Sequence, residues 1–215
     1  TALIGMTLCC AMVARALAPG GIQRYMVILE GEEDIGKSGL VHALGAPWSR
    51  TLSKGMDTKD AQMLLHGCWV MEVPELDSYR RTEESAIKAF LTTTADTFIP
   101  KYANTPRTYQ RRTVFVGTVN PQGSYLKGQT GNTRFLPVRC SGVIDVDGIR
   151  LVRDQLFAEA KTLIEEGYAW WKATEQHAEI VEEREQRREI DVFEALIHEW
   201  LENGAMHESG AYVTM

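Results

Sequence analysis

In the first two thirds of the chain, apolar residues come in short blocks of strand length separated by glycine or polar punctuation. Tyr25-Met26-Val27-Ile28-Leu29 lies between Gly21 and Gly31, Cys68-Trp69-Val70-Met71 follows Gly67, and Val114-Phe115-Val116-Gly117-Thr118 follows a pair of arginines. Continuous apolar runs of this length suit strands buried on both faces of a parallel sheet. Between them the period turns helical: Lys37 to Leu44, closed by Gly45-Ala46-Pro47; a stretch to His66-Gly67 with Asp57 or Thr58 as N-cap; and Glu83 to Leu91. Such alternation predicts an α/β fold, a central parallel sheet flanked by helices.

Ahead of the first strand, Ala2 to Ala18 is apolar and ends at Pro19-Gly20-Gly21. Its Ala16-Leu17-Ala18 resembles a signal-peptide cleavage site, but no basic segment precedes it and Arg15 interrupts it. It is also short of the roughly 20 residues of a membrane span. A buried helix is expected, and no membrane segment. Phe98 to Tyr102 and Tyr109 to Arg112 read as strands of a hairpin with Ala103-Asn104-Thr105-Pro106 at its tip, and Phe135 to Arg139 as a short strand. Ile149 to Trp171 and Thr174 to Arg188 are helical by period, and Asp191 to Glu202 is amphipathic, with Phe193, Leu196, Ile197, Trp200 and Leu201 on one face. The expected organisation is an N-terminal helix over 1–20, a core over 21–150 with a basic hairpin inserted at about 96–112, and a helical segment over 151–215. Thr1 is not an initiator and the chain stops within a pattern at Tyr212-Val213-Thr214-Met215, so a longer parent is expected.

Charge changes the picture in the middle of the chain. The net charge is −6, yet no Asp or Glu occurs from Thr97 to Ile144, where Lys101, Arg107, Arg111, Arg112, Lys127, Arg134 and Arg139 all fall. That stretch is suited to phosphates, while the acidic tail solvates a helix or meets a basic neighbour. Cys9, Cys10, Cys68 and Cys140 show no Cys-x-x-Cys spacing and read as small core residues of a reducing, cytoplasmic setting; the histidines form no ligand motif.

The chemistry is carried by Gly31-Glu32-Glu33-Asp34-Ile35-Gly36-Lys37-Ser38, with Gly39 behind it. The pattern G-x-x-x-x-G-K-S between a buried strand and a helix is a phosphate-binding loop: its backbone N–H groups and the helix N-terminus face the phosphates, Lys37 reaches the β- and γ-phosphates, and Ser38 ligates Mg²⁺. Gly31, Glu33, Asp34, Ile35, Gly36, Lys37, Ser38 and Gly39 are therefore the expected nucleoside-triphosphate-binding residues. Glu32, Glu33 and Asp34 place acids beside a polyanion, which is compatible with binding when they point outward, at weaker or more Mg²⁺-dependent affinity. Hydrolysis also needs an acid at a neighbouring strand end. Glu75 lies just past the second strand and Glu72 nearer its middle; Glu75 is the expected Mg²⁺ partner of Ser38, with Glu72 as the second member of the pair. Asn120, at the end of the third strand, is placed to meet the γ-phosphate or the attacking water, and Arg134 to stabilise charge in a neighbouring subunit's site.

In order and spacing these pieces resemble the virulence-associated protein E family, phage and prophage replication ATPases allied to superfamily 3 helicases on an AAA+ core. The matching stretches are Leu29-Glu30-Gly31…Ile35-Gly36-Lys37-Ser38, Lys59-Asp60, Gly67 to Leu76, Lys88-Ala89-Phe90-Leu91, Val114 to Asn120, and Thr130 to Val138. The resemblance implies an AAA+ P-loop NTPase in which Lys37 and Ser38 are Walker A, Glu75 with Glu72 Walker B, Asn120 sensor 1 and Arg134 the arginine finger. It further implies a hairpin that grips single-stranded DNA, with Lys101, Tyr109, Arg111 and Arg112 as the DNA contacts. A ring, expected to be a hexamer, primase or other replication partners, and the cytoplasm of a bacterial host are also implied. The tail resembles the lead-in to a winged-helix-like region. The function expected is the ATP-hydrolysing motor of a replication helicase; the alternatives are a regulatory switch or helicase loader, or a DNA-binding scaffold with an inactive loop.

Overall fold

A computed structural model describes residues 2–52, 58–76, 81–120, 124–126, 132–173, 177–188 and 200. Five strands form a parallel sheet: β1 (Met26–Glu30), β2 (Ser49–Thr51), β3 (Val70–Val73), β6 (Val114–Val119) and β7 (Phe135–Arg139), in the order β2-β3-β6-β1-β7. β4 (Ala95–Phe98) and β5 (Arg107–Gln110) form a separate antiparallel hairpin. The helices are α1 (Ala2–Leu17), α2 (Lys37–Gly45), α3 (Lys59–Leu65), α4 (Arg81–Thr92), α5 (Val146–Glu165), α6 (Trp170–Ala173) and α7 (Ala178–Gln186).

The apolar strand runs divide between two cores by simple alternation. Val27 and Leu29 of β1, Val70 of β3, Val114 and Val116 of β6 and Leu136 of β7 pack with α1, α2 and α5. Met26 and Ile28, Met71 and Val73, Phe115 and Val119, and Phe135 point the other way, onto α3, α4, Leu76 and Tyr125. Both faces are covered, which is why these strands carry no polar–apolar alternation.

Several boundaries differ from expectation for local reasons. β2 escapes the hydrophobic pattern because it is a three-residue polar edge strand, Ser49-Arg50-Thr51. β3 starts at Val70, since the Cys68 N–H already donates to Leu65 O and the Trp69 ring leaves the sheet, its Nε1 donating to Met12 O at 2.9 Å. Both hairpin strands lie a few residues N-terminal of their expected places: Pro100 breaks the first, so residues Pro100 to Ala103 turn instead. The long helix from Ile149 breaks after Glu165, where Gly167 at φ 79 ends it in the left-handed conformation. Thr58 caps α3 by accepting from the Ala61 N–H at 3.1 Å. The expected helix from Asp191 to Glu202 lies outside the described residues apart from Trp200, as do Asp57 and Lys127.

Arg15, the charge inside the first apolar run, is 2% exposed and ties α1 to the strand starts. It donates to Thr113 O at 2.6 Å, Gly21 O at 3.0 Å and Thr93 O at 3.4 Å. Burial, with the Arg111 charge nearby, lowers its pKa to about 10. Among the described residues no helix is long and apolar enough to cross a membrane.

Candidate functional site

The alternation that fills the two cores also decides which acid faces the glycine-rich loop. Glu72 is in phase with Val70, so its side chain passes beneath α2, while Met71 and Val73 enter the opposite core. It is 2% exposed and accepts from Ser38 Oγ at 2.5 Å, Thr118 Oγ1 at 3.2 Å and Thr51 Oγ1 at 3.0 Å. His42 Nε2 stands 3.4 Å from its other oxygen, and His42 is itself held by Ser49 and Thr51. A buried carboxylate is tolerated only when so supplied with donors. It is Glu72, not Glu75, that meets Ser38.

The loop follows from its glycines. A Cβ at Gly31 would fall 2.5 Å from Ile35 Cδ1 and 2.9 Å from Cys140 O, so only glycine lets the chain leave β1 this close to its neighbour. Gly36 has φ 96, which turns the chain into α2; no side chain caps that helix, leaving its first N–H groups to the loop. Lys37 is 7% exposed. Its ammonium donates to Gly31 O at 2.6 Å, Glu32 O at 2.5 Å and Asn120 Oδ1 at 2.8 Å, which uses all its donors. Glu32, Glu33 and Asp34 are exposed, and Glu33 and Asp34 line a cavity beside the loop.

Beside the loop is a cavity of about 390 Å³, lined by Gly36, Lys37, Ser38, Glu75, Thr118 and Asn120 among others. Asp34 at φ 60 and Glu75 at φ 49 both line it. Non-glycine residues in this region carry backbone strain, and such strain gathers at sites of function. β6 lies between β1 and β3, so the loop, Asn120 and the Glu72–Glu75 segment converge at one end of the sheet.

The other expected residues lie elsewhere. Phe135 pairs with Met26, at the start of β1, while the loop leaves from its end, so Arg134 is separated from its own loop by the length of β1, about 13 Å at 3.3 Å per residue. Lys101 and Arg112 are exposed on the hairpin; Tyr109 is half-buried against His66 and Phe98. Arg111 corrects the expectation of a DNA contact. It is 3% exposed, binds both oxygens of Asp96 at 2.6 Å, donates to Phe90 O and lies 3.9 Å from the Phe90 ring. A buried guanidinium held at three points by buried acceptors does not reach a phosphate.

Sequence reading passed over the hydroxyls and His42 around Glu72, although strand parity would have put Thr118 on that face. It also passed over Glu30, which is in phase with Met26 and Ile28 and so faces away from Ser38. Glu30 takes Arg187 of the α7 end and the Tyr125 hydroxyl, and the Cys140 N–H donates to its backbone oxygen at 2.7 Å. Burial beside the Glu30 carboxylate pushes the Tyr125 phenol well above its usual range. No sequence motif marks this cluster, because its members are 95 and 157 positions from Glu30.

A parallel sheet with a glycine-rich strand-to-helix loop, a buried acid beneath the following helix and an amide on the strand between them defines an α/β protein with one polar site at its strand ends. The family within that class is shown by its sequence: the family model of the virulence-associated protein E-like domain matches residues 1–190, and the chain belongs to that family. No curated protein matches the chain. Among solved structures, an A-form apo structure of the NrS-1 C-terminal region is 16% identical with a TM-score of 0.48, covering 74% of this chain and 39% of that one. A second apo A form of that region is 15% identical with a TM-score of 0.46, covering 92% and 46%. The chain thus spans less than half of either structure.

Proposed function

We propose that this chain is a P-loop ATPase of AAA+ type, the motor module of a phage or prophage-type DNA replication helicase that works as a ring on single-stranded DNA. The observation that carries the reading is the Ser38–Glu72 contact at 2.5 Å beside the Lys37–Asn120 contact at 2.8 Å, which gathers four separately expected residues at one point. Membership in the virulence-associated protein E-like family supports the replication setting.

The residues fit ATP and Mg²⁺. The uncapped start of α2 and the loop N–H groups suit phosphate oxygens, and Lys37 supplies positive charge there. Ser38 and Glu72 would hold Mg²⁺, whose contribution is to neutralise charge on the β- and γ-phosphates. Thr51, Thr118 and His42 fix the Glu72 carboxylate so that one oxygen stays on Ser38. Glu75, which also lines the cavity, would orient and deprotonate the attacking water, and Asn120, whose Oδ1 accepts from Lys37, would offer its NH₂ group to the γ-phosphate. Arg134, remote from its own loop, is the residue a neighbouring subunit would supply, which supports a ring over a solitary enzyme.

The test is ATP turnover with and without single-stranded DNA, together with particle size in the presence of a non-hydrolysable nucleotide. Turnover that DNA stimulates in a ring is expected. Turnover without any DNA effect would instead identify a switch or loader, and no nucleotide binding with Mg²⁺ present would identify a scaffold.

A further inference from the structure

At the end of the sheet opposite the loop, a cleft of about 960 Å³ lies between the foot of the β4–β5 hairpin, α3 and the end of α1. Its walls are aromatic. Trp48 is 57% exposed and meets the Trp69 ring edge-on at 6.5 Å and 71°. Tyr109 also lines it, stacked on Phe98 at 4.9 Å and against His66 at 4.3 Å. Trp69 is held by its hydrogen bond to Met12 O and by Phe157 at 4.9 Å, so the platform behind Trp48 is rigid.

The acids and bases lining this cleft leave a net positive charge. Asp96 is on its lining, but both of its oxygens are bound by Arg111, and Arg112 adds an exposed guanidinium. The chain from Thr97 to Ile144, which supplies the hairpin wall, contains no acid at all. An exposed indole on a rigid backing, a second aromatic wall and an unopposed cation match the chemistry of nucleobase stacking with a phosphate alongside. Gln62, Thr108 and Gln110 add hydrogen-bonding groups to this lining, beside the apolar Ala16, Pro19 and Leu65.

We infer that this cleft binds single-stranded DNA, with a base stacked on Trp48 and its phosphate on Arg112. Its position at the hairpin foot sets it apart from the exposed tip, where Lys101 lies over the Tyr102 ring at 5.4 Å. The inference rests on the proposed replication function only in choosing DNA over RNA; the stacking argument stands on the cleft alone.

The test is nucleotide-free binding of labelled (dT)20, of an abasic oligomer of equal length and of (rU)20 to the whole chain, followed by anisotropy and tryptophan quenching. Trp48→Ala should weaken (dT)20 binding roughly ten-fold and leave the abasic oligomer unaffected, Trp48→Phe should restore most of the loss, and Arg112→Ala should weaken both. ATP turnover without DNA should be the same in Trp48→Ala and parent, so failure here is separable from failure of the ATPase assignment. The inference is overturned if Trp48→Ala binds (dT)20 like the parent, if only Lys101→Ala weakens binding, or if the parent shows no base-dependent binding. Tighter binding of (rU)20 overturns the commitment to DNA.

Discussion

Two buried carboxylates, Glu72 and Asp96, are each surrounded by donors, and they teach opposite lessons. Asp96 is closed: Arg111 takes both its oxygens, and Nη1 of the same guanidinium donates to Phe90 O. Glu72 is open: hydroxyls and His42 hold it, no Lys or Arg among the described residues pairs with it, and its partners Ser38 and Thr118 line the cavity beside the loop. Burial of charge therefore does not identify a site. What identifies it is a carboxylate fixed in place but left with charge to share.

The sharpest way to break the comparison is at the open end. Lys37→Ala should abolish ATP turnover while the denaturant midpoint barely moves, because Lys37 bonds only loop carbonyls and Asn120; retained turnover would sink the phosphate-loop assignment. Next in size, Arg134→Ala should lower kcat about 1,000-fold with nucleotide affinity kept, as expected of a trans arginine. Mixing it with Lys37→Ala subunits should restore part of the activity, and equal loss of binding and turnover would argue against the trans role. Glu72→Gln should reduce turnover about 100-fold and raise the Mg²⁺ requirement, with little loss of stability.

At the closed end the order reverses. Arg111→Ala should cost about 3–5 kcal/mol in urea unfolding, since it strands Asp96 in the core; a loss under about 1 kcal/mol would mean that water reaches the pair. The smallest effect concerns the thiols. Burial raises the Cys9 pKa to about 11 and that of Cys68 to about 12. Both should resist alkylation at pH 8 in the folded protein. A raised folded pKa means stability that is complete below the usual thiol range, so unfolding measurements should show it declining from about pH 9 towards pH 12. Rapid labelling of Cys68 in the native state would contradict its burial.

Most of the sheet was legible because its strands are apolar on both sides and separated by glycine, and the loop because its glycines recur at fixed spacing. Lys37, Ser38, Glu72 and Asn120 could be named from the order of elements alone. Glu75 was the expected partner of Ser38; that Glu72 takes this place follows from strand phase within β3, which ends at Val73, before Glu75. β2 stayed hidden because an edge strand needs no hydrophobic run. Arg111 was misread for a related reason: beside Arg112 it looks like surface charge, and only its 15-residue reach to Asp96 turns it inward. Pairings over long separations, such as Glu30 with Arg187, leave no trace in local composition.

One consequence follows from β3. Val70 and Glu72 face one way while Met71 and Val73 face the other, so the acid's address is written in the same step that seals the second core. A single-residue insertion or deletion in this strand would put methionine in place of glutamate beneath α2 and thrust a charge among Phe115 and Ile28. Activity and foldability at β3 are thus inherited together. Attempts to retune the site must come from its partners at Thr51, Thr118 and His42, where a change of chemistry leaves the strand's phase alone.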